Sequence, residues 1–305
     1  MLKKIRNVTL FSGTQPLIII SLLLCALIIV IFREDREFSP GSWADKYRLS
    51  KTNQDLWLLT VKGDYVSENI EFRSVWEVPL TEYLIKNIKP SETVVEVGAH
   101  IGYYTTLLAK LVTKSGRVYS YDANGKLVDL NRLSLKMNDL YDIVTLKNAV
   151  VADRKKQVNF VFNEPNLGLS HIKSQEEPKI IYASEKKEEQ METISLDEDL
   201  LHLKNVDWLR MDIEGSEILV LNGARRIISD SPNIKIIAEW RPHLLQRYGD
   251  TRQLISDLRN MGFVFYDIPS PADSYPLSAL SNDCLLSQEF GNILIVKPHS
   301  IPGAV

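Results

Sequence analysis

The stretch that decides the fold is Thr93-Val-Val-Glu96-Val-Gly98-Ala99-His100-Ile-Gly102-Tyr-Tyr-Thr105. An apolar, β-branched run ends in a glycine turn that opens a helix. Gly98 permits a sharp turn without a Cβ clash, and Gly102 lets the helix start close to the sheet or a ligand. A dinucleotide fold expects G-x-G-x-x-G to cradle a pyrophosphate. Here His100 takes the place of the middle glycine, and an acid, Glu96, precedes the first.

S-adenosylmethionine carries ammonium and sulfonium charges and no phosphate. A carboxylate at the turn suits that cation and disfavours a pyrophosphate. Twenty residues past Gly102, Asp122 ends the next strand in Tyr-Ser-Tyr-Asp122-Ala-Asn. An acid there can accept both ribose hydroxyls. The ribose of NAD wants the same acid, so Asp122 supports an adenosine ligand without choosing one.

Outward from the turn, helix-like and strand-like segments alternate. Helices are predicted at 77–88, 102–113, 125–138, 215–229 and 250–261. Strands are predicted at Thr93–Val97, Arg117–Tyr121, Ile143–Ala149, Val206–Met211, Ile234–Ala238, Gly262–Asp267 and Asn292–Lys297. This alternation argues for an α/β fold, a mostly parallel sheet covered on both faces. The last two strands lack a helix between them and read as a hairpin with one strand antiparallel. The pattern breaks between strands three and four, where Val158–Phe162 reads as an extra strand and 173–192 as an exposed loop. A second long loop, 269–290, carries Pro269, Pro271 and Pro276. Residues 33–75 show no strong period beyond a strand around Leu56–Val61.

The second informative block is Val206-Asp-Trp-Leu-Arg-Met-Asp212-Ile-Glu214-Gly215-Ser-Glu217-Ile-Leu-Val-Leu-Asn-Gly223-Ala. With the glycine turn it resembles the FkbM family of S-adenosylmethionine-dependent methyltransferases. In that family the first motif reads like D-V-G-A-N-x-G, and the fourth strand ends in D-x-E-G-x-E followed by L-x-G-A. Thr193-Ile-Ser-Leu-Asp197 matches the usual T-L-D lead-in. Glu96 stands where Asp is commoner, His100 where Asn is usual, and Asp122-Ala-Asn where Glu-x-Pro is usual. The resemblance implies a Rossmann-like class I methyltransferase sheet of seven strands. It also implies S-adenosyl-L-methionine as cofactor and O-methylation of hydroxyls on sugars, glycolipids or related small molecules.

On this reading the cofactor-binding residues are Glu96, Gly98, Ala99, His100, Gly102, Asp122, Asn148 and Asp212. Asn148 ends the third strand on the adenine side. The catalytic candidates are His243, Asp212, Glu214 and Glu239. Methyl transfer is an in-line displacement at an activated carbon, so alignment supplies much of the acceleration, about 7–11 kcal/mol. An alcohol also needs help losing its proton. His243, in Glu239-Trp-Arg-Pro-His243, is the first candidate for general base, because an unperturbed imidazole titrates near neutrality. His171 is a second. Asp212 is read as a methionine-end or acceptor contact, and Glu214 as an acceptor-orienting group or a helix cap. Glu239 either orients His243 or joins Asp212 and Glu214 around a divalent cation; no metal is assigned. Trp76, Trp208 and Trp240 are candidates for stacking on a sugar, with core packing the plainer reading for Trp208.

The N-terminus differs from the rest. No residue from Asn7 to Phe32 is charged, and Leu17–Phe32 is apolar apart from Ser21. A membrane-spanning helix needs roughly 20 apolar residues. The expected division is an N-terminal flank at 1–14, a transmembrane anchor at 15–32, a juxtamembrane extension at 33–90 and a methyltransferase domain at 91–305. That makes the protein single-pass in a membrane, with its sidedness open because Lys and Arg nearly tie across the span. A signal peptide fits less well, since no small-x-small site precedes Arg33.

Three of the 36 basic residues and none of the 39 acids precede residue 33, so the net charge of −3 becomes −6 for the body. That acidic balance excludes an electrostatic nucleic-acid binder. Cys25 and Cys284 allow no disulfide within the body. Two further readings remain open: a non-catalytic, membrane-tethered cofactor-binding module, and an NAD-dependent oxidoreductase.

Overall fold

The computed structural model describes residues 45–163, 166–174, 186–268 and 277–300. The chain divides into two units, 1–48 and 49–305. The centre of the second unit is a seven-stranded sheet of β1 (Thr93–Val97), β2 (Arg117–Asp122), β3 (Val144–Asn148), β4 (Trp208–Met211), β5 (Lys235–Trp240), β6 (Val264–Asp267) and β7 (Phe290–Val296). The spatial order is β6-β7-β5-β4-β1-β2-β3. Five strands, β3-β2-β1-β4-β5, pair in parallel, and β7 pairs antiparallel with β5 and β6. This is the Rossmann-like methyltransferase arrangement expected from the sequence. The order reverses between β1 and β4, and at such a switch point the carboxyl ends of the strands open a crevice for ligands.

The central strands are buried on both faces, as a covered parallel sheet requires. Ile236, Ile237, Ala238, Leu209 and Met211 are among the most deeply buried residues. The helices that matter for the site are α1 (Tyr65–Arg73), α2 (Val78–Asn87), α3 (Tyr103–Val112) and α4 (Gly125–Met137). Helix α1 falls in a stretch without apolar periodicity. It forms because Asp64 caps it, accepting from the Ser67 N–H at 2.9 Å, an interaction typical of a helix N-cap.

Two predicted elements come out differently. The helix expected at 215–229 is two helices, Glu217–Asn222 and Arg225–Asp230. Gly223 sits at the break, where an added Cβ would lie 2.2 Å from Ala152 O. The carboxylate of Asp197 accepts from the N–H groups of Arg226 and Ile227, satisfying the second helix's start. The exposed loop expected at 173–192 ends in a nine-residue strand, Lys186–Ile194, paired antiparallel with Gln157–Asn163. Its sequence has no apolar alternation. The backbone ladder holds it, aided by ion pairs such as that of Glu192 with Lys155, just before the partner strand, at 2.9 Å. In the second long loop, 282–287 is helical, and Pro269, Pro271 and Pro276 lie outside the described residues.

The expectation of a single-pass membrane location is corrected. Among the described residues no helix is long and apolar enough to cross a membrane. The span expected at 15–32 lies outside the described residues.

Candidate active site

A cavity of about 320 Å³ opens at the carboxyl ends of β1, β2, β4 and β5. The glycine turn forms one wall. Gly98 and Ala99 donate their N–H groups to Tyr121 O at 2.9 and 3.1 Å, which binds the turn to β2. Gly98 has φ +88°, and a Cβ there would lie 2.1 Å from Asp212 O. Only glycine lets β1 and β4 approach this closely.

Asp122 stands opposite the turn. Its two oxygens accept from the backbone N–H groups of His100, at 2.7 Å, and Asn124, at 2.8 Å. Burial nevertheless holds its pKa above the usual carboxylate value. His100 has φ +52° and lines the cavity. Nε2 lies 3.5 Å from Asp64 Oδ1, an ion-pair distance without hydrogen-bond geometry. Burial works against a charged His100, but the Asp64 carboxylate outweighs it, and the imidazole pKa is raised.

Beneath the turn lies a buried charge network. Glu96 is fully buried and does not line the cavity. Its Oε2 accepts from Thr105 Oγ1 at 2.6 Å and Ser120 Oγ at 2.8 Å. Arg210 lies beside it, 3.9 Å from Glu96 Oε1. Arg210 also donates to Gly98 O at 3.0 Å and Asp212 Oδ2 at 2.7 Å. Its guanidinium carbon is 4.4 Å from the Tyr104 ring centroid, and Tyr104 donates in turn to Glu77 at 2.8 Å. Burial, then the nearby Asp212, raises the Glu77 pKa.

A second wall comes from the tips of β4 and β5: Asp212, Glu214, Glu239 and Arg241. Glu214 has φ +56° and is followed by Gly215 at +99°, so two consecutive left-handed residues turn the chain into the helix Glu217–Asn222. Burial, then the Asp212 charge, pushes the Glu214 pKa up to about 7. Glu239 is pushed to about 10 by burial and then by Asp212, Glu214 and Glu217. Arg241 spans the pair, 2.8 Å from Glu239 Oε1 and 4.0 Å from Glu214 Oε2. Glu217 is buried, accepts from the Ile213 N–H at 2.9 Å, and is pushed to about 8, chiefly by burial.

The expected residues thus divide. Gly98, Ala99, His100, Asp122, Asp212, Glu214 and Glu239 line the cavity. Glu96 lies underneath, braced against Arg210. Gly102 is packed under the start of α3, where a Cβ would meet the Asn131 side chain at 2.2 Å. Asn148 turns back to donate to Asp122 O and Ala123 O at 3.0 and 2.8 Å. It braces the end of β2 and does not line the cavity. His243 is also off the cavity; half-exposed on the helix Pro242–Leu245, its Nδ1 lies 2.7 Å from Glu289. Glu239 is engaged by Arg241 and not by His243. His171 is buried at the cavity's edge, its Nδ1 2.8 Å from Leu169 O. Trp76 lines the cavity, whereas Trp208 and Trp240 are core residues whose indole N–H groups donate to Glu92 and Leu285 O. Among the described residues no group of three His, Cys, Asp or Glu is arranged to hold a metal ion.

Arg210, Asp64 and Glu77 belong to the site although the motifs do not mark them. Arg210 had a signal: an arginine in the middle of a buried strand, two residues before Asp212. Asp64 had one as well, in the Asp-x-x-Ser spacing of a helix cap.

The sequence from 96 to 265 matches the family described as the methyltransferase FkbM domain. The chain belongs to the FkbM methyltransferase family. No curated protein matches it significantly. Among solved structures it is similar to an S-adenosylmethionine-dependent O-methyltransferase from Thermotoga maritima, at 12% identity, 83% of this chain, 78% of that one and a TM-score of 0.41. It is also similar to an O-methyltransferase from Bacillus cereus solved with S-adenosylhomocysteine, at 14% identity, 73% and 82% coverage and a TM-score of 0.42. A third is the O-methyltransferase TomG from Streptomyces achromogenes, solved with S-adenosylmethionine, at 11% identity, 73% and 81% coverage and a TM-score of 0.42.

The FkbM enzyme is therefore an S-adenosylmethionine-dependent methyltransferase, which removes the oxidoreductase and non-catalytic readings. Its lining fits that donor. The acids Asp122 and Asp212 line the cavity beside the Gly98 turn, and they suit a cationic nucleoside and disfavour a pyrophosphate.

Proposed function

We propose that the enzyme transfers the methyl group to a hydroxyl of a glycan, glycolipid or related small-molecule acceptor. The observation that carries this reading is Glu214. Its carboxyl lies in the same cavity as the glycine turn, and burial pushes its pKa up to about 7. A general base works best when its pKa lies near the operating pH. His243 keeps no such position.

The bound donor supplies a methyl group already activated by sulfonium. The chain's own residues do the rest. Asp122 would hold the ribose, and the backbone from Gly98 to His100 would hold the methionine end together with Asp212. Glu214 accepts the proton of the attacking hydroxyl. Trp76 and Tyr65, an edge-to-face pair with centroids 5.9 Å apart, both line the cavity and offer an apolar platform to a sugar ring.

The test uses the purified chain with S-adenosylmethionine and a panel of methyl hexopyranosides. Donor binding is followed by calorimetry, and S-adenosylhomocysteine and methylated sugar by mass spectrometry. The expected result is product with at least one sugar and its loss in Glu214→Gln. Donor binding without product from any hydroxyl acceptor overturns the proposal.

A further inference from the structure

Glu214 and Glu239 share one cavity wall and one guanidinium, yet only one of them is placed to remove a proton. Glu239 is 8% exposed. Its Oε1 lies 2.8 Å from the Arg241 guanidinium, an ion-pair contact, while its Oε2 is buried with no hydrogen-bond partner. Four acids crowd this corner, namely Asp212, Glu214, Glu217 and Glu239, against Arg241. That balance keeps Glu239 protonated at neutral pH. With Oε1 in ion-pair contact with the guanidinium, the proton belongs on Oε2. A buried O–H without an acceptor costs about 1–3 kcal/mol, and a ligand oxygen in the cavity removes that cost.

We infer that Glu239 is a specificity-determining hydrogen-bond donor, and that the acceptor is a vicinal diol. This rests on the hydroxyl-methylation reading and narrows it. Two neighbouring carboxyls held in opposite protonation states match two neighbouring oxygens of which one gives a proton and the other receives a hydrogen bond. Arg241, reaching Glu239 at 2.8 Å and Glu214 at 4.0 Å, sets the carboxyls side by side. In the step itself the acceptor's O–H proton passes to Glu214. The oxygen–methyl bond forms as the sulfur–methyl bond breaks, and that electron pair returns to sulfur, leaving a neutral thioether. Glu239 keeps its proton throughout.

The experiment takes the best sugar from the methyl hexopyranoside panel and compares it with the monodeoxy analogue lacking the oxygen next to the methylated one. The wild type should prefer the parent sugar by at least tenfold in kcat/KM, since a site built to bond an oxygen rejects its absence strongly. Glu239→Leu, which cannot donate, should bring the ratio near one. Glu239→Gln, which still donates and keeps an oxygen for Arg241, should restore most of it. Equal use of the two sugars by the wild type, or an unchanged ratio in Glu239→Leu, overturns the inference alone. No methylation of any sugar despite donor binding overturns the hydroxyl reading and this inference with it.

Discussion

Arg210 and Asp212, two residues apart on β4 and its extension, are joined by a 2.7 Å hydrogen bond from the guanidinium to Oδ2. Alternate residues of a strand share a face, so the spacing itself brings them together. The same guanidinium holds Gly98 O and lies 3.9 Å from Glu96. One buried cation thus ties the floor of the donor turn to the acid at the cavity's centre. Arg210→Met should destabilise the fold by about 3–5 kcal/mol, because it leaves a buried carboxylate without its counter-charge. Urea unfolding measures this, and the double variant with Glu96→Gln should recover part of the loss.

Gly98 and Gly262 both have φ near +90°, but only Gly98 faces an obstacle. Gly262→Ala meets nothing within 4 Å and should cost only the left-handed strain, about 1–2 kcal/mol. Gly98→Ala meets backbone at 2.1 Å and should abolish donor binding or folding. Thermal melts of the pair, with and without S-adenosylmethionine, separate the two effects.

The activity of the enzyme should rise with pH through about 7, as Glu214 loses its proton and becomes a base. Glu214→Gln should remove that limb and lower kcat by a factor of about 10²–10⁴. His243→Ala, off the cavity and paired with Glu289, should leave both the limb and kcat within about twofold of the wild type. A flat profile in the wild type would exclude Glu214 as the base.

Stability should depend on pH in the opposite sense to an ordinary salt-bridged acid. Glu214, Glu217 and Glu239 are raised to about 7, 8 and 10, so the folded chain holds their protons more tightly than the unfolded chain. Stability is therefore greatest near the ordinary glutamate pKa and falls as pH rises through these values, by up to about 1.4 kcal/mol per pH unit for each proton. Glu239→Gln should flatten the decline at its alkaline end in urea titrations.

The contact of Asp64 with His100 divides: its histidine half falls with rising pH in the same sense, and its aspartate half runs the other way. The raised histidine adds stability below its unfolded pKa and loses it as pH rises through the folded value; the lowered Asp64 loses its share only as pH falls into the acid range. Asp64→Asn keeps a good N-cap for α1, so it isolates the electrostatic part. It should destabilise the protein more at pH 6 than at pH 8.5, and NMR titration should show the His100 pKa falling.

Much of this architecture was legible because it is periodic or chemically punctuated. All seven sheet strands lie within three residues of their expected limits, since buried parallel strands read as short apolar runs between glycines and polar turns. The turn and the acids at 122, 212, 214 and 239 were visible for the same reason. What escaped depends on partners distant in sequence. Lys186–Ile194 is a strand only because Gln157–Asn163 supplies its ladder. Asn148 folds back on the end of β2, and His243 lies off the cavity, although the first ends a strand and the second follows one on the correct edge. The resting place of a side chain is fixed by its neighbours, which sequence position alone does not reveal. The protonation states of Glu214 and Glu239 follow from burial and crowding, and these also exist only in three dimensions.

The antiparallel strand β7 lies between β5 and β6, bonded to both along its length. It is the last strand of the sheet to leave the ribosome, yet it occupies an interior position. A nascent chain that has emerged only as far as residue 289 holds two facing, unsatisfied edges where one continuous sheet will later run. Such edges recruit other strands readily, so the vulnerable interval in the life of this protein lies just before synthesis is complete. Arrest or premature termination in that interval should yield aggregates in place of a shortened enzyme.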